Sequence, residues 1–205
     1  MVALEPLLAP FIQAPLSADQ LGKFQLFLDL LLKWNAKISL TAVRTPEEIV
    51  RRHFGESLFT GEHLRSEAGS EVADLGTGAG FPGIPIALLR PDWKLLLIES
   101  QKKKVAFLRE VIRTLGIANA SVHAGRAENL QTKSQIVTMR AVEKFKSALP
   151  VAASLVVPGG QLALLIGMTK VEAARQMLPN FEWRKPIAVP ESRQRVLLVG
   201  NSRLQ

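Results

Sequence analysis

The amino-acid sequence predicts an α/β fold in which helices cover both faces of a mainly parallel sheet. From residue 71 onward, short apolar runs alternate with amphipathic helical segments. A turn with glycine at every second position follows the first apolar run. Ligands of open parallel sheets bind at the carboxyl ends of the strands, so we expect the functional site at that edge.

Two helical segments precede the sheet and predict an N-terminal helical extension. Ser17 and Gln20 have the spacing of a capping box, and apolar residues then recur at helical spacing as far as Trp34. Thr45 and Pro46, followed by two acidic residues, predict a second helix that ends near residue 58. Residues 65–70 predict a joint between an extension over 1–66 and a sheet domain over 67–205.

The alternating region predicts its own order of elements. We expect helices near residues 84–89, 101–115, 143–155 and 169–178, separated by strands. Two apolar runs within 186–200 have no helix between them, which predicts an antiparallel hairpin at the sheet edge. The expected parallel strands lie near residues 71–75, 94–98, 120–123, 136–139 and 161–166.

The glycine-rich turn predicts a small-molecule site. Gly76, Gly78 and Gly80 allow the backbone to turn sharply and to approach a ligand closely. Amide groups at the start of the next helix, near Ile84, are positioned to hold an anion. The sequence therefore places a ligand at the end of the first strand.

Two cofactors are compatible with this turn. Gly78, Gly80 and Gly83 match the spacing of a dinucleotide site, with Glu99 as the ribose-binding acid. S-adenosylmethionine instead requires an acid two residues before the first glycine, where Asp74 stands. A Pro-Gly-Gly turn at 158–160 that enters an apolar strand is typical of methyltransferases and favours S-adenosylmethionine.

The parts of this methyl donor predict its partners near the first two strands. Asp74 and the backbone at Gly76 suit the amino-acid end, although Asp74 has the alternative role of capping the turn. Phe81 either walls the pocket or packs in the core. Glu99 ends the second strand, where a carboxylate reaches ribose hydroxyls, unless it is a solvated strand-end acid.

Two further positions follow the third and fourth strands. Ala127 and Glu128 stand where methyltransferases bind adenine, or else form an ordinary exposed turn. Arg140 ends the fourth strand beside the expected transfer site, and its alternative role is a salt bridge to Glu143 or Glu128.

Composition and charge limit the class of protein. The 205 residues are 47% hydrophobic, contain no cysteine and carry a formal net charge of +8. A basic chain favours a polyanionic partner, and the absence of cysteine excludes thiolate metal sites. The first residues lack the pattern of a secretion signal, so we expect a cytoplasmic location. We also expect a monomer, with neither a membrane nor a metal as a partner.

Several segments together resemble the bacterial 16S rRNA (guanine-N7) methyltransferase G family over residues 21–199. The resemblance implies a Rossmann-like, S-adenosylmethionine-dependent methyltransferase with a seven-stranded sheet. The chain departs from the family pattern at Ser39, Glu56, Gln135 and Ile166. The segments that carry the resemblance are Lys33-Trp34-Asn35, Ser39-Leu40-Thr41, Arg44, Arg52-His53, Glu56-Ser57, Phe81-Pro82-Gly83-Ile84-Pro85 and Arg140-Ala141.

The resemblance also implies site residues and partners. It implies 16S ribosomal RNA of the small subunit as the substrate, with the helical extension as an RNA-facing cap. The implied donor-binding residues are Gly76, Phe81, Ala127, Glu128 and Arg140. The implied RNA-facing residues are Lys33, Asn35, Arg44, Arg52, His53 and Ser57.

Methylation at guanine N7 is consistent with the motifs that the sequence lacks. There is no cysteine to attack a pyrimidine ring and no Asn/Asp-Pro-Pro-aromatic motif for an exocyclic amine. N7 carries a lone pair and no proton, so in-line displacement requires positioning rather than a general base. We expect Arg140 and the basic helix over residues 46–58 to hold the nucleotide.

The target is expected in a loop of the RNA, because the major groove of A-form RNA is too narrow for side chains. Binding is expected to weaken with salt, because phosphate contacts release counterions. The alternatives are a methyltransferase of a small molecule or protein, a non-catalytic RNA-binding protein with a relic pocket, and a nicotinamide oxidoreductase. The expected phosphate contacts are Lys33, Lys37, Arg44, Arg51 and Arg52.

Overall fold

The computed structural model describes residues 2–140 and 144–203 and contains one mixed sheet with helices on both faces. The helices are α1 (Leu4–Leu8), α2 (Ala18–Asn35), α3 (Pro46–Ile49), α4 (Glu56–His63), α5 (Gly83–Leu89), α6 (Lys102–Leu115), α7 (Phe145–Ser154) and α8 (Val171–Met177). The strands are β1 (Glu71–Leu75), β2 (Lys94–Glu99), β3 (Ala120–Ala124), β4 (Ser134–Arg140), β5 (Val156–Gly167), β6 (Phe181–Trp183), β7 (Ile187–Ala188) and β8 (Arg195–Ser202).

Seven strands lie along one path in the order β3-β2-β1-β4-β5-β8-β6, and β7 pairs separately with β8. The five strands β1 to β5 are parallel, whereas β8 runs antiparallel to β5, β6 and β7. The predicted mainly parallel sheet with an antiparallel edge is thereby confirmed. The short strand β6, which the sequence did not predict, is the outer partner of β8.

The two N-terminal caps form as the sequence predicts. Ser17 Oγ accepts from the Gln20 amide at 3.2 Å, and the Gln20 side chain accepts from the Ser17 amide at 2.9 Å. Thr45 Oγ1 accepts from the Glu48 amide at 3.4 Å. The second helical segment runs beyond residue 58, because a π-helical turn (Val50–Gly55) joins α3 to α4, which ends at His63.

Side chains of successive strand residues enter two different cores. In β1, Val72 packs with the N-terminal helices, α5 and α6, whereas Ala73 and Leu75 pack with α7 and α8. The first core contains aromatic residues from several elements, including Phe24, Phe27, Phe54, Phe81 and Phe107. The helical extension therefore covers one face of the sheet. The edge at the carboxyl ends of the parallel strands is the one where the candidate site is expected.

Candidate functional site

The candidate site lies next to the point where the strand order reverses, which is between β1 and β4. In the sheet, β2 and then β3 lie on one side of β1, whereas β4 and then β5 lie on its other side. Connections leave a crevice at the carboxyl ends of the strands at such a switch point. Residues after β1, β2 and β3 and one face of α7 line a cavity of about 220 Å³ there.

Four of the predicted donor-binding residues line this cavity. They are Gly76, Glu99, Ala127 and Glu128, each of which ends or follows one of the first three strands. Gly76 is exposed with φ +67°, a backbone conformation that favours glycine. The structure thus brings together residues that are 52 positions apart in the sequence, counted from Gly76 to Glu128.

The Glu99 carboxylate is nearly buried and is held by two backbone amides. One oxygen accepts from the Gly78 amide at 3.1 Å, and the other accepts from the Gln101 amide at 2.8 Å. Each carboxylate oxygen retains a further lone pair, so Glu99 can still accept from hydroxyl groups of a ligand. The carboxylate is therefore fixed in orientation before any ligand binds.

Asp74 lies behind the glycine turn and does not line the cavity. Its carboxylate is fully buried, and it accepts from the Gly83 amide at 2.8 Å and from Thr138 Oγ1 at 2.9 Å. Burial raises the pKa of Asp74, and these hydrogen bonds oppose that rise. The geometry favours its alternative role as the cap of the turn. The Gly83 amide, which starts α5, is consequently not available to a ligand anion.

Phe81, Gly78 and Gly80 also lie outside the cavity lining. The Phe81 ring is buried and stacks against His53, with ring centroids 4.8 Å apart and an interplanar angle of 21°. It also stacks against Phe27 at 5.3 Å. Phe81 therefore has the core-packing environment that was its alternative role.

Arg140 lies in a cluster of charged side chains and not in the cavity lining. Its NH2 group is 3.2 Å from Glu56 Oε2 and donates to the Arg52 carbonyl at 2.6 Å. Glu56 also accepts from Arg195 Nε at 2.6 Å. Burial lowers the pKa of Arg140 to about 10, so this guanidinium stays charged at neutral pH. Its NH1 group is buried without a hydrogen-bond partner among the described residues.

The predicted salt bridge of Arg140 forms with a residue other than those expected. Glu56, and not Glu128, is its described partner, because the first residue of α4 lies beside the last residue of β4. The other expected partner, Glu143, and the motif residue Ala141 lie outside the described residues.

The predicted RNA-facing residues separate into exposed cations and internal supports. Lys33, Arg44 and Arg52 are exposed. Asn35 accepts from the amides of Leu40 and Thr41, at 2.9 and 3.0 Å, and so fixes the loop after α2.

Ser57 and His53 belong to the internal group. The Ser57 hydroxyl is buried and donates to the His53 carbonyl at 2.5 Å. His53 bonds to Thr41 and Arg140. The expected phosphate contact Arg51 is engaged instead by Glu191 at 2.5 Å.

Other cavity residues were missed by sequence reasoning. Lys144, Ser147, Ala148 and Val151 lie on one face of α7 and the residue before it, with helical spacing as the available signal. The remaining missed residues are next to predicted positions at the strand ends. They are Leu75, Ile98, Ser100, Gly125 and Arg126.

No described helix is long and apolar enough to cross a membrane. Among residues 2–140 and 144–203, no group of three or more histidine, aspartate and glutamate side chains is arranged to hold a metal ion.

Comparison with known proteins gives consistent relatives. A family model described as rRNA small subunit methyltransferase G matches residues 20–193. The protein of that name from Stenotrophomonas maltophilia K279a is 38% identical over 168 residues, covering 80% of this chain and 78% of its own. The one from Nitrosomonas europaea is 40% identical over 126 residues, covering 59% of this chain and only 58% of its own.

A solved structure supports the fold. The ribosomal protein L11 methylase from Lactobacillus delbrueckii superposes with a TM-score of 0.62 at 16% identity, covering 75% of this chain and 80% of its own. The predicted Rossmann-like fold class, with its mainly parallel sheet and antiparallel edge strands, is therefore confirmed.

Proposed function

The chain belongs to the family described as rRNA small subunit methyltransferase G, and we propose that it methylates N7 of a guanine in a loop of 16S ribosomal RNA. S-adenosylmethionine is the proposed methyl donor. The observation that carries the proposal is the cavity at the ends of β1, β2 and β3, with the fixed Glu99 carboxylate, in a member of this family. The cytoplasmic location and the monomeric state remain predictions.

The cavity residues fit the chemistry of this donor. Glu99 has the oxygen lone pairs that a ribose diol requires, and the exposed backbone at Gly76 suits the amino-acid end. Ile98, Ala127 and Val151 supply apolar surface for a flat base, with Glu128 at the polar edge. When bound, the donor supplies an electrophilic methyl group on a sulfonium.

The proposed catalysis is positioning by charged and apolar side chains. Guanine N7 carries no proton, so none of the described residues has to act as a base before attack. Arg140 is held by Glu56 and His53 at the end of β4, where we propose that its positive charge attracts the nucleotide. Exposed Lys33, Arg44 and Arg52 are proposed to contact phosphates.

The test combines product analysis with donor binding. Small subunits from a strain that lacks the gene are incubated with labelled donor and digested to nucleosides, and label in 7-methylguanosine is expected. Glu99→Gln should weaken donor binding about ten- to hundredfold in calorimetry, because a charged hydrogen-bond acceptor is lost.

Glu71→Gln is the matched control, since Glu71 is an exposed carboxylate at the opposite end of the sheet. Donor affinity equal in the two variants would overturn the assigned cavity. Label found in protein, in a small molecule or in another nucleoside would overturn the assigned substrate.

A further inference from the structure

A second cavity, which we call the Trp34 groove, lies between the carboxyl end of α2 and one face of α6. It has a volume of about 390 Å³ and does not share a lining residue with the cavity at the ends of β1, β2 and β3. The Trp34 groove is lined by Lys33, Trp34, Lys37, Ile38, Lys103 and Glu110.

The aromatic wall of the groove is held rigidly. Trp34 Nε1 donates to Glu110 Oε2 at 3.0 Å, which ties α2 to α6. The indole also packs against the Phe107 ring in a T-shaped arrangement, with centroids 5.6 Å apart and planes at 61°. The ring is only partly buried, and its remaining surface lines the groove. A ring fixed on two sides offers a flat apolar surface at low entropic cost.

Three cations surround this apolar surface. Lys33 lies in the last turn of α2, and Lys37 follows two residues after the end of that helix. Lys103 lines the groove from the first turn of α6. All three are exposed, and none forms an ion pair with a carboxylate of the described residues. The carboxylate of the groove, Glu110, is already bonded to the indole. Three lysines against one carboxylate therefore leave the lining of the groove with a net positive charge.

The groove opens at the same edge of the sheet as the donor cavity. Lys103 follows closely after Glu99, whose carboxylate lines that cavity. On the other wall, Asn35 next to Trp34 holds the loop at Thr41, and Thr41 reaches Arg140 through His53. A chain of hydrogen bonds therefore links the wall of the groove to Arg140.

We propose that the Trp34 groove binds one unstacked nucleotide of the RNA substrate, with its base on Trp34 and the neighbouring phosphates on the three lysines. The inference rests on the proposed function and names a contact that fixes where the RNA lies. Single-stranded RNA is recognised by aromatic stacking combined with cationic side chains. A phosphate alone would not require the apolar wall, and an apolar peptide would not match three unpaired lysines.

The aromatic contribution is tested with Trp34→Phe and Trp34→Leu. Both variants lose the hydrogen bond to Glu110, so their difference isolates the aromatic face. Affinity for protein-free 16S rRNA is measured by filter binding, and donor affinity by calorimetry. Trp34→Leu should bind RNA at least about fivefold more weakly than Trp34→Phe, because stacking contributes about 1–3 kcal/mol per base. Donor affinity should be equal in both variants.

The cationic contribution is tested on exposed positions that do not threaten folding. Lys37→Glu combined with Lys103→Glu should weaken RNA binding about tenfold or more and flatten its salt dependence. The control, Lys94→Glu combined with Lys133→Glu, makes the same charge change at the amino ends of β2 and β4. The RNA affinity of this control should stay within about threefold of that of the unmodified chain.

The outcomes separate this inference from the proposed function. If the unmodified chain methylates small subunits but the two lysine pairs behave alike, the groove is not an RNA contact. If the groove variants lose affinity for intact subunits and keep it for protein-free RNA, the groove binds a ribosomal protein and the inference is wrong. If the unmodified chain neither binds RNA nor methylates subunits, the proposed function fails as well.

Discussion

The protonation state of His53 follows from its two hydrogen bonds. Arg140 can only donate, so His53 Nδ1 accepts from Arg140 NH2 at 2.9 Å and the ring proton lies on Nε2. Nε2 then donates to Thr41 Oγ1 at 2.6 Å. Burial, with the nearby positive charge of Arg140 and Arg52, lowers the pKa of His53 to about 2. A neutral His53 orients Arg140 and does not act as a proton donor near neutral pH.

This pKa predicts a pH-dependent stability. Below pH 6.5 the unfolded chain protonates His53 while the folded chain does not, so stability is lost as pH falls. Between pH 7 and pH 5, His53 should lower the free energy of unfolding by about 2 kcal/mol. His53→Asn, which retains an acceptor near Nδ1, should remove this part of the pH dependence in urea unfolding. Parallel pH profiles for the two proteins would contradict the neutral assignment.

At the scale of elements, the glycine turn owes its shape to close packing as well as to backbone freedom. A Cβ on Gly83 would lie 2.2 Å from Leu97 Cδ2 and 2.8 Å from Asp74 Oδ2. Glycine at this position lets the start of α5 approach the Asp74 carboxylate, which in turn fixes the turn that carries Gly76 and Gly78. Donor binding and local stability are therefore expected to depend together on Gly83.

Gly83→Ala should destabilise the chain by about 2 kcal/mol or more, because overpacking displaces a side chain and strains a buried hydrogen bond. It should also weaken donor binding in calorimetry. Gly22→Ala is the control, since no atom lies within 4 Å of a Cβ at that helical position. Gly22→Ala should raise the free energy of unfolding, measured with urea, by about 0.5–1 kcal/mol. Equal effects of the two substitutions would show that Gly83 packing is unimportant.

For the whole molecule, the N-terminal helices and the sheet share one apolar core. Phe27 of α2 is fully buried and contacts the rings of Phe54, Phe81 and Phe107, which belong to three other segments. A core that crosses the predicted boundary at residue 66 couples the stability of both parts. We therefore expect one unfolding transition and not two.

Phe27→Ala tests this coupling and should cost about 3–5 kcal/mol. Its transition should shift by the same amount in far-UV circular dichroism and in tryptophan fluorescence. Leu26→Ala, on the neighbouring exposed position of the same helix, should change stability by less than about 0.5 kcal/mol. A transition that shifts in only one of these two signals would show that the helical extension unfolds independently.

The sequence predicted the regular elements well where local signals were strong. The five parallel strands, the caps at Ser17 and Thr45, and the antiparallel edge agree with the structure. The helix α1 was missed because five residues without a side-chain cap give little local signal. Its place depends on tertiary packing, since the adjoining Phe11 ring lies where a Cβ on Gly55 would stand.

The alternation of strand and helix patterns determined the fold class by itself, because side chains repeat with different periods in the two elements. The glycine turn and the acids at the strand ends indicated which edge of the sheet carries the candidate site. Only the tertiary structure decided which side chains face the cavity. Asp74 is an internal support that accepts a hydrogen bond from Thr138, and Glu56 is the counter-ion of Arg140. Trp34 bonds to Glu110 and so forms a groove with α6. These contacts join residues far apart in the chain, so no local pattern encodes them.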